Sequence, residues 1–359
     1  MLSPWDVPTY LSRTWCMCEM YTALATEGCS VEIAMRQSQK DAMVLSIDNF
    51  DKLLKAVSDA RIENSKTSKE QDRSNILKLV RGTAGYHAVN NQIKDFLHKW
   101  IRDMILEKIT EYQRSKMKEH FFSSDVEYSR LCYHVGKILF QMGFHDDAIA
   151  HYNDGLAIEE RVYGRGHKDT AKVYLNIGAA LKAKADHDGA LKMYKRELSI
   201  YEETVGKRHA STASAQRNVG LIMQEKGAID EAILYYNQSL SIQLDIHEEE
   251  HEDTATSYSL LGLAFFAKSD FSTAMHMLKQ ALAIDETVHG KEHPDTSMCY
   301  NNLGMVAQEI EDNNDAAHMH EKALSIREKV LGTNHPDTAQ SYNNLGLAMH
   351  SKGDLKGSY

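Results

Sequence analysis

The sequence predicts a mainly α-helical protein whose larger part is a solenoid of repeated helix hairpins. The phrase HPDTAQSYNNLG at residues 335–346 occurs one period of 42 residues earlier as HPDTSMCYNNLG. Glycine recurs at the same spacing, at Gly136, Gly178, Gly220, Gly262, Gly304 and Gly346. Self-similarity at a fixed period of about 20–50 residues is typical of repeat architectures, in which each unit buries its apolar face against its neighbours.

Composition restricts the class of protein. The 359 residues are 42% hydrophobic and 26% charged, which is ordinary for a globular protein. The net charge of −10 disfavours binding to nucleic acid or to an acidic membrane, because both require a basic surface. No apolar run approaches the ~20 residues of a membrane-spanning helix, and no secretory signal is visible. Five scattered cysteines suit a reducing compartment, so we expect a cytoplasmic protein with protein or peptide partners.

Residues 1–86 predict an incomplete α/β segment. Helical spacing over Tyr10–Ala25 and Asn49–Ala60 flanks the alternating stretch Cys29–Met35, which predicts a strand. One strand cannot form a sheet, so the segment resembles the second half of a domain whose first half is missing. Apolar residues that step by three or four predict a long helix from His87 to Lys118, within a connecting segment at 87–128.

Residues 129–359 hold five full repeats and a partial sixth. Each repeat predicts two helices, with the recurring glycine in the middle of the first and a recurring alanine in the second. The alanines are Ala148, Ala190, Ala232, Ala274 and Ala316. Glycine in a helix costs up to about 1 kcal/mol relative to alanine, so its repetition predicts close helix–helix contact. We expect the alanine to be the small residue that faces each glycine.

The order of aromatic, Leu-Gly, Ala and Leu matches the tetratricopeptide repeat. The period of 42 and the phrases YNNLG, KALSIREKVLG and HPDTA resemble the repeat of kinesin light chains and related proteins. The resemblance covers residues 129–359. It implies an α-solenoid whose first helices line a concave side, with asparagines there that hold the main chain of a bound peptide.

The candidate groove residues lie two and three positions before the recurring glycine. The primary candidates are Asn176, Asn218, Asn302 and Asn344, and the secondary ones are Asn301, Asn343 and Arg217. An amide both donates and accepts hydrogen bonds, and asparagine is a poor helix former, so its repetition inside helices favours a binding role. Leu260 interrupts the row, and with Phe265 and Phe266 it predicts either an apolar pocket or a local repacking.

A second resemblance lies near the amino terminus. Ser12, Trp15, Cys16 and Glu19 are similar to the S-x-W-C-x-x-E-L box of TIR-like domains, with Met20 where the box has leucine. In NAD-cleaving TIR enzymes the glutamate of the box acts at the ribose, and that catalytic role would fall on Glu19. The strand and loop that the family places upstream of the box have no counterpart in this sequence.

Neither a metal nor another cofactor is expected. Cys16 and Cys18 are separated by one residue on a predicted helix, so their thiols point about 200° apart. A column of histidines, at His167, His209, His251, His293 and His335, repeats every 42 residues, and its members cannot converge on one ion. We expect them to begin helices. The sequence contains none of the motifs GxGxxG, GxxxxGK[ST], HExxH or GxSxG.

The leading hypothesis is therefore a non-enzymatic scaffold that binds a peptide or partner segment in the concave groove. One alternative is a fragment of a TIR-like NAD-cleaving signalling enzyme, with the repeats as its sensor. The other is a cargo adaptor of the kinesin light chain type. Because the sixth second helix is unfinished at Gly353–Tyr359, we also expect the last repeat to be frayed.

Overall fold

The architecture was established from a computed structural model of the chain. The structure describes residues 14–26, 60–65, 70–83, 85–116, 123–246, 250–333 and 335–353, together with Lys55 and Val57. The chain divides into two compact units, at residues 1–155 and 156–359. Within the described ranges every regular element is a helix, so the predicted mainly α class is confirmed.

The described residues of the first unit include four complete helices: α1 (Thr14–Ala25), α2 (Glu70–Gly82), α3 (Tyr86–Lys116) and α4 (Ser123–Gln141). A fifth helix, α5 (His145–Tyr163), begins in this unit and ends in the second. The long helix α3 was predicted within two residues at each end. Its fully buried side chains, which include Val89, Ile93, Leu97, Ile101 and Ile105, step by four residues and explain why this stretch is helical.

A short 3₁₀ turn at Ile62–Asn64 is fastened to two of these helices. The Arg73 guanidinium, on α2, donates to the carbonyls of Glu63 and Ser65. The Asn90 amide, on α3, accepts from the backbone N–H of Ile62 and donates to the Glu63 carboxylate. The predicted strand Cys29–Met35 and most of the predicted helix Asn49–Ala60 lie outside the described residues.

The described residues of the second unit form nine further helices in chain order. They are α6 (Lys168–Ala183), α7 (His187–Thr204), α8 (Ala210–Glu225), α9 (Ile229–Ile246), α10 (Glu252–Ala267), α11 (Phe271–Val288), α12 (Pro294–Glu309), α13 (Asn313–Leu331) and α14 (Pro336–Lys352). Each even-numbered helix from α6 to α12 pairs with the odd-numbered helix that follows it, and that second helix also packs on the first helix of the next hairpin. This is the packing of a hairpin solenoid.

Helix α14 is the first helix of the sixth repeat. It ends at Gly353, whose φ of +84° lies in the left-handed region. Such a glycine is a common helix stop. Residues 354–359 lie outside the described part of the chain. Among the described residues, no helix combines the length and the apolar character that a bilayer span requires.

Candidate functional site

The recurring histidines begin the first helices, as the sequence predicted. In each of five linkers the imidazole Nδ1 accepts a hydrogen bond from the backbone N–H two residues later, and the histidine is the N-cap. For example, Ser211 N–H donates to His209 over 3.1 Å and Asp337 N–H donates to His335 over 3.2 Å. These bonds satisfy a free N–H at the start of the helix and fix where it begins.

The recurring threonines hold the linkers against the helices. Thr212 donates its hydroxyl proton to the carbonyl of Gly206 over 2.7 Å, and Thr296 donates to that of Gly290 over 2.8 Å. Both glycines have positive φ, which the turn out of the preceding helix requires. The linker before Thr254 carries Glu248 where the others have glycine, and the buried Thr254 hydroxyl makes no hydrogen bond with a described residue.

The recurring glycine makes room for a large side chain. The prediction that the recurring alanine faces the glycine was wrong. A Cβ added at Gly178 would lie 2.5 Å from the ring of Tyr194, and one at Gly220 would lie 2.5 Å from the ring of Tyr236. The side chains that cover the glycines are Tyr152, Tyr194, Tyr236, Leu278 and His320, each four residues after the recurring alanine. The alanines are themselves fully buried.

Successive first helices of the second unit lie side by side, and polar contacts bridge three of the seams between them. Lys182 on α6 approaches Glu225 on α8 at 3.2 Å. Arg217 on α8 donates to the Asp253 carboxylate on α10 over 2.8 Å. The Asn344 amide on α14 donates to the side-chain oxygen of Asn301 on α12 over 2.8 Å. We call the face formed by α6, α8, α10, α12 and α14 the first-helix surface.

The candidate asparagines differ in how the fold uses their amides. Asn176 donates to the carbonyl of Lys172 in its own helix, over 2.7 Å. Asn218 donates to the Glu197 carboxyl over 3.3 Å, and Asn344 donates to Asn301 as described. In all three the NH₂ group donates one hydrogen bond within the protein. The amide oxygens of Asn218 and Asn344 accept from no described residue, whereas Asn176 makes a further interaction within the protein.

Asn302 is the exception in the row. It is only 8% exposed, yet its amide makes no hydrogen bond with any described residue. The secondary candidates differ from one another in burial and in their contacts. Asn301 is buried, Asn343 is exposed, and Arg217 is held by Asp253 as part of the seam between two helices. Leu260 and Phe265, at the interruption of the row, are partly buried and pack against the core around Tyr236.

Sequence reasoning missed a set of buried polar side chains behind this surface. Arg327 is buried on α13 and donates to the Ser341 hydroxyl and to the carbonyl of Asp337 on the next helix. His320 is fully buried against Gly304, and burial, assisted by the charge of Arg327, lowers its pKa to about 4. Both residues depart from the columns in which they stand, and comparing the repeats position by position would have revealed them.

One cluster has the composition of a metal site, namely His289, His293 and Asp295, whose ligand atoms lie within 4.8 Å of one another. The two imidazole rings are stacked, with centroids 4.5 Å apart and planes 17° apart. Nitrogen lone pairs lie in the ring planes, so two nearly parallel stacked rings do not aim at one ion. The His293 Nδ1 also accepts from Asp295 N–H. Tyr163 stacks on His167 in the equivalent linker. Ring stacking at these two positions is therefore a packing feature that the linkers share.

The residues of the predicted TIR-like box are partly described. Glu19 lies exposed on α1 and makes no hydrogen bond or ion pair with a described residue. Cys16 and Cys18 are half-buried free cysteines on the same helix. Ser12 lies outside the described residues, and so does Cys29. The catalytic role of Glu19 stays a prediction.

Comparison with protein families identifies the repeats. One model described as tetratricopeptide repeat matches residues 129–203, 169–245 and 211–287, and a second with the same description matches residues 296–337. Together the two models cover more than half of the chain. The chain belongs to the tetratricopeptide repeat proteins. The matches of the first model begin at residues 129, 169 and 211, so successive starts are 40 and 42 residues apart. No curated protein matches the chain.

Solved structures share the tetratricopeptide fold at low sequence identity. BtubC (BKLC) from P. vanneervenii is 22% identical, with 60% of this chain and 86% of that chain covered and a TM-score of 0.54. RapI in its apo form is 14% identical, with 89% and 81% covered and a TM-score of 0.58. The Q17M form of a Podosopora anserina protein of the kinesin light chain type is 21% identical, with 56% and 97% covered and a TM-score of 0.50.

Proposed function

We propose that this tetratricopeptide repeat protein is a non-enzymatic interaction scaffold, and that it holds an extended peptide or partner segment on the first-helix surface. The array predicted at residues 129–359 is the binding part. Tetratricopeptide repeat proteins are typically scaffolds, and the net charge of −10 favours protein over nucleic acid as the partner. No contact among the described residues specifically favours the alternatives of an NAD-cleaving fragment or a motor adaptor.

The observation that carries the proposal is the amide of Asn302. Asn302 makes no hydrogen bond with a described residue, and its amide atoms are not among the side-chain atoms that are fully shielded from solvent. The donors and the acceptor of this amide are therefore unused by the described part of the fold. A peptide main chain offers N–H and C=O groups that match both ends of an amide. On other first helices, Asn218 and Asn344 carry amide oxygens that accept from no described residue, which suits repeated main-chain contacts.

The test is a randomised peptide-array screen followed by titration of the binding peptides by fluorescence polarisation. Asn302→Ala removes no internal hydrogen bond, so its effect reports on the ligand alone. Loss of one net hydrogen bond costs about 1 kcal/mol, or roughly a fivefold weaker affinity. Asn344→Ala is expected to weaken binding similarly. The matched control is Asn314→Ala, an exposed asparagine at the start of the second helix α13.

Affinity that is unchanged in Asn302→Ala and Asn344→Ala would place the peptide elsewhere on the array. A thermal melt of each variant separates loss of ligand contacts from loss of folding. Asn344→Ala needs this measurement most, since it also removes the hydrogen bond to Asn301.

A further inference from the structure

One buried acid of the array is left without a cation by the fold. Glu197 lies on α7 and is 2% exposed. The equivalent positions in the other repeats hold only small residues, at Gly155, Ser239, Ala281 and Ala323. At this position a carboxyl group therefore replaces a small side chain, whose role in the other repeats is to let two helices approach closely. Burial of an ionisable group is costly unless it is paired, so this departure requires an explanation.

Glu197 makes one hydrogen bond with a described residue, and its charge also helps to raise the pKa of the buried Tyr194 hydroxyl. Asn218 on α8 donates its NH₂ group to Glu197 Oε2 over 3.3 Å. Burial raises the pKa of the Glu197 carboxyl to about 8, and the hydrogen bond from Asn218 only partly opposes this rise. Arg196, the next residue, is directed to the carbonyl of Arg165 instead. The acid is thus held next to a groove candidate without a counter-charge.

The pair holds acceptor oxygens that the described residues do not use. Asn218 is half-buried on α8 and donates to Glu197, and its amide oxygen accepts from no described residue. The second carboxyl oxygen of Glu197 accepts from no described residue and is not among the side-chain atoms that are fully shielded from solvent. When Glu197 is ionised, the two unused oxygens complement a group that only donates. Lysine and arginine are the side chains that donate without accepting.

We propose that Glu197 and Asn218 form a subsite for the lysine or arginine side chain of a segment bound on the first-helix surface. The inference rests on the proposed function and specifies the chemistry of the partner. A cation at this position would supply the counter-charge that Glu197 lacks among the described residues, and it would make a charge-assisted hydrogen bond to the carboxylate. The acidic net charge of the chain is consistent with a basic partner segment.

The experiment uses the full chain and a positional-scanning library of randomised peptides, in which one position at a time is fixed as Lys, Arg, Glu or norleucine. At one position, Lys and Arg should bind the wild-type protein roughly tenfold better than norleucine, as one charge-assisted hydrogen bond allows. Glu197→Gln keeps the shape and the contact with Asn218 but cannot ionise, so the preference should vanish. Glu203→Gln changes an exposed acid on the same helix and should preserve it.

A preference for Lys and Arg that persists in Glu197→Gln would overturn the subsite, as would peptide binding that shows no such preference. In both cases the proposed scaffold function would survive, because peptides still bind. Absence of binding to every peptide would overturn both. If Glu197→Gln fails to fold, Glu197→Ala is measured instead, since alanine occupies this position in the repeats that contain Ala281 and Ala323.

Discussion

Replacement of Glu197 by glutamine should stabilise the array at neutral pH. The ordinary pKa of glutamate, 4.5, is raised to about 8 in the folded chain by burial. At about pH 7 the unfolded chain therefore carries a charged carboxylate, whereas the folded chain must hold the group protonated. Each pKa unit corresponds to about 1.4 kcal/mol, so the mismatch costs about 3 kcal/mol of folding free energy at this pH. Glutamine retains an oxygen to accept from Asn218 and removes that cost.

The sign of the pH dependence follows from the raised pKa. Below about pH 4.5 both states are protonated, and wild type and Glu197→Gln should be nearly equal in stability. As pH rises, the unfolded state loses its proton first, and wild type loses stability until the folded carboxyl also ionises near pH 8. The advantage of Glu197→Gln should therefore grow between these limits and level off above them.

Urea unfolding followed by far-UV circular dichroism at about pH 4.5, 7 and 8.5 measures this difference. Glu203→Gln, on the exposed side of the same helix, is the control for loss of a negative charge. An equal stability change for the two variants at every pH would refute the reasoning, because the effect would then not depend on the burial of Glu197.

The remaining predictions test the packing of the hairpins. Gly220→Ala, which would place a Cβ 2.5 Å from the Tyr236 ring, should destabilise the array by about 1–3 kcal/mol in urea unfolding. Gly346→Ala, which meets no atom within 4 Å, should raise stability by up to about 1 kcal/mol through helix propensity, and equal effects at the two sites would contradict the assigned contacts. The pKa of His320 is lowered to about 4, so the folded chain keeps this imidazole neutral while the unfolded chain protonates it near pH 6.5. The free energy of unfolding should therefore be highest above about pH 6.5 and fall by up to about 3 kcal/mol as pH drops through 4. His320→Tyr, which installs the residue found at Tyr236, should reduce that acid sensitivity in thermal melts, and an unchanged pH profile would exclude His320 as its source.

Local signals in the sequence determined the helices and the repeat. The histidine and threonine columns act within a few residues of the chain, on the first turn of a helix and on the linker before it. The glycine column was visible as a regularly repeated cost to helix formation, and it predicted close contact between two helices. These features need no knowledge of distant residues, because the hydrogen bonds and the backbone angles involved are local.

Only the tertiary structure decided which side chains meet between helices. The sequence could not show that Tyr194 and Tyr236, rather than the recurring alanine, cover the glycines, because helix rotation within a hairpin depends on the packing of all its neighbours. It also could not show that Asn344 is directed to Asn301, or that Asn218 caps the buried acid Glu197. Those contacts join residues of different helices, and the desolvation that shifts the pKa of Glu197 depends on the whole packed environment. The period predicted a repeated surface, and the departures from it can be read in the sequence, but only packing decided what each departing side chain contacts.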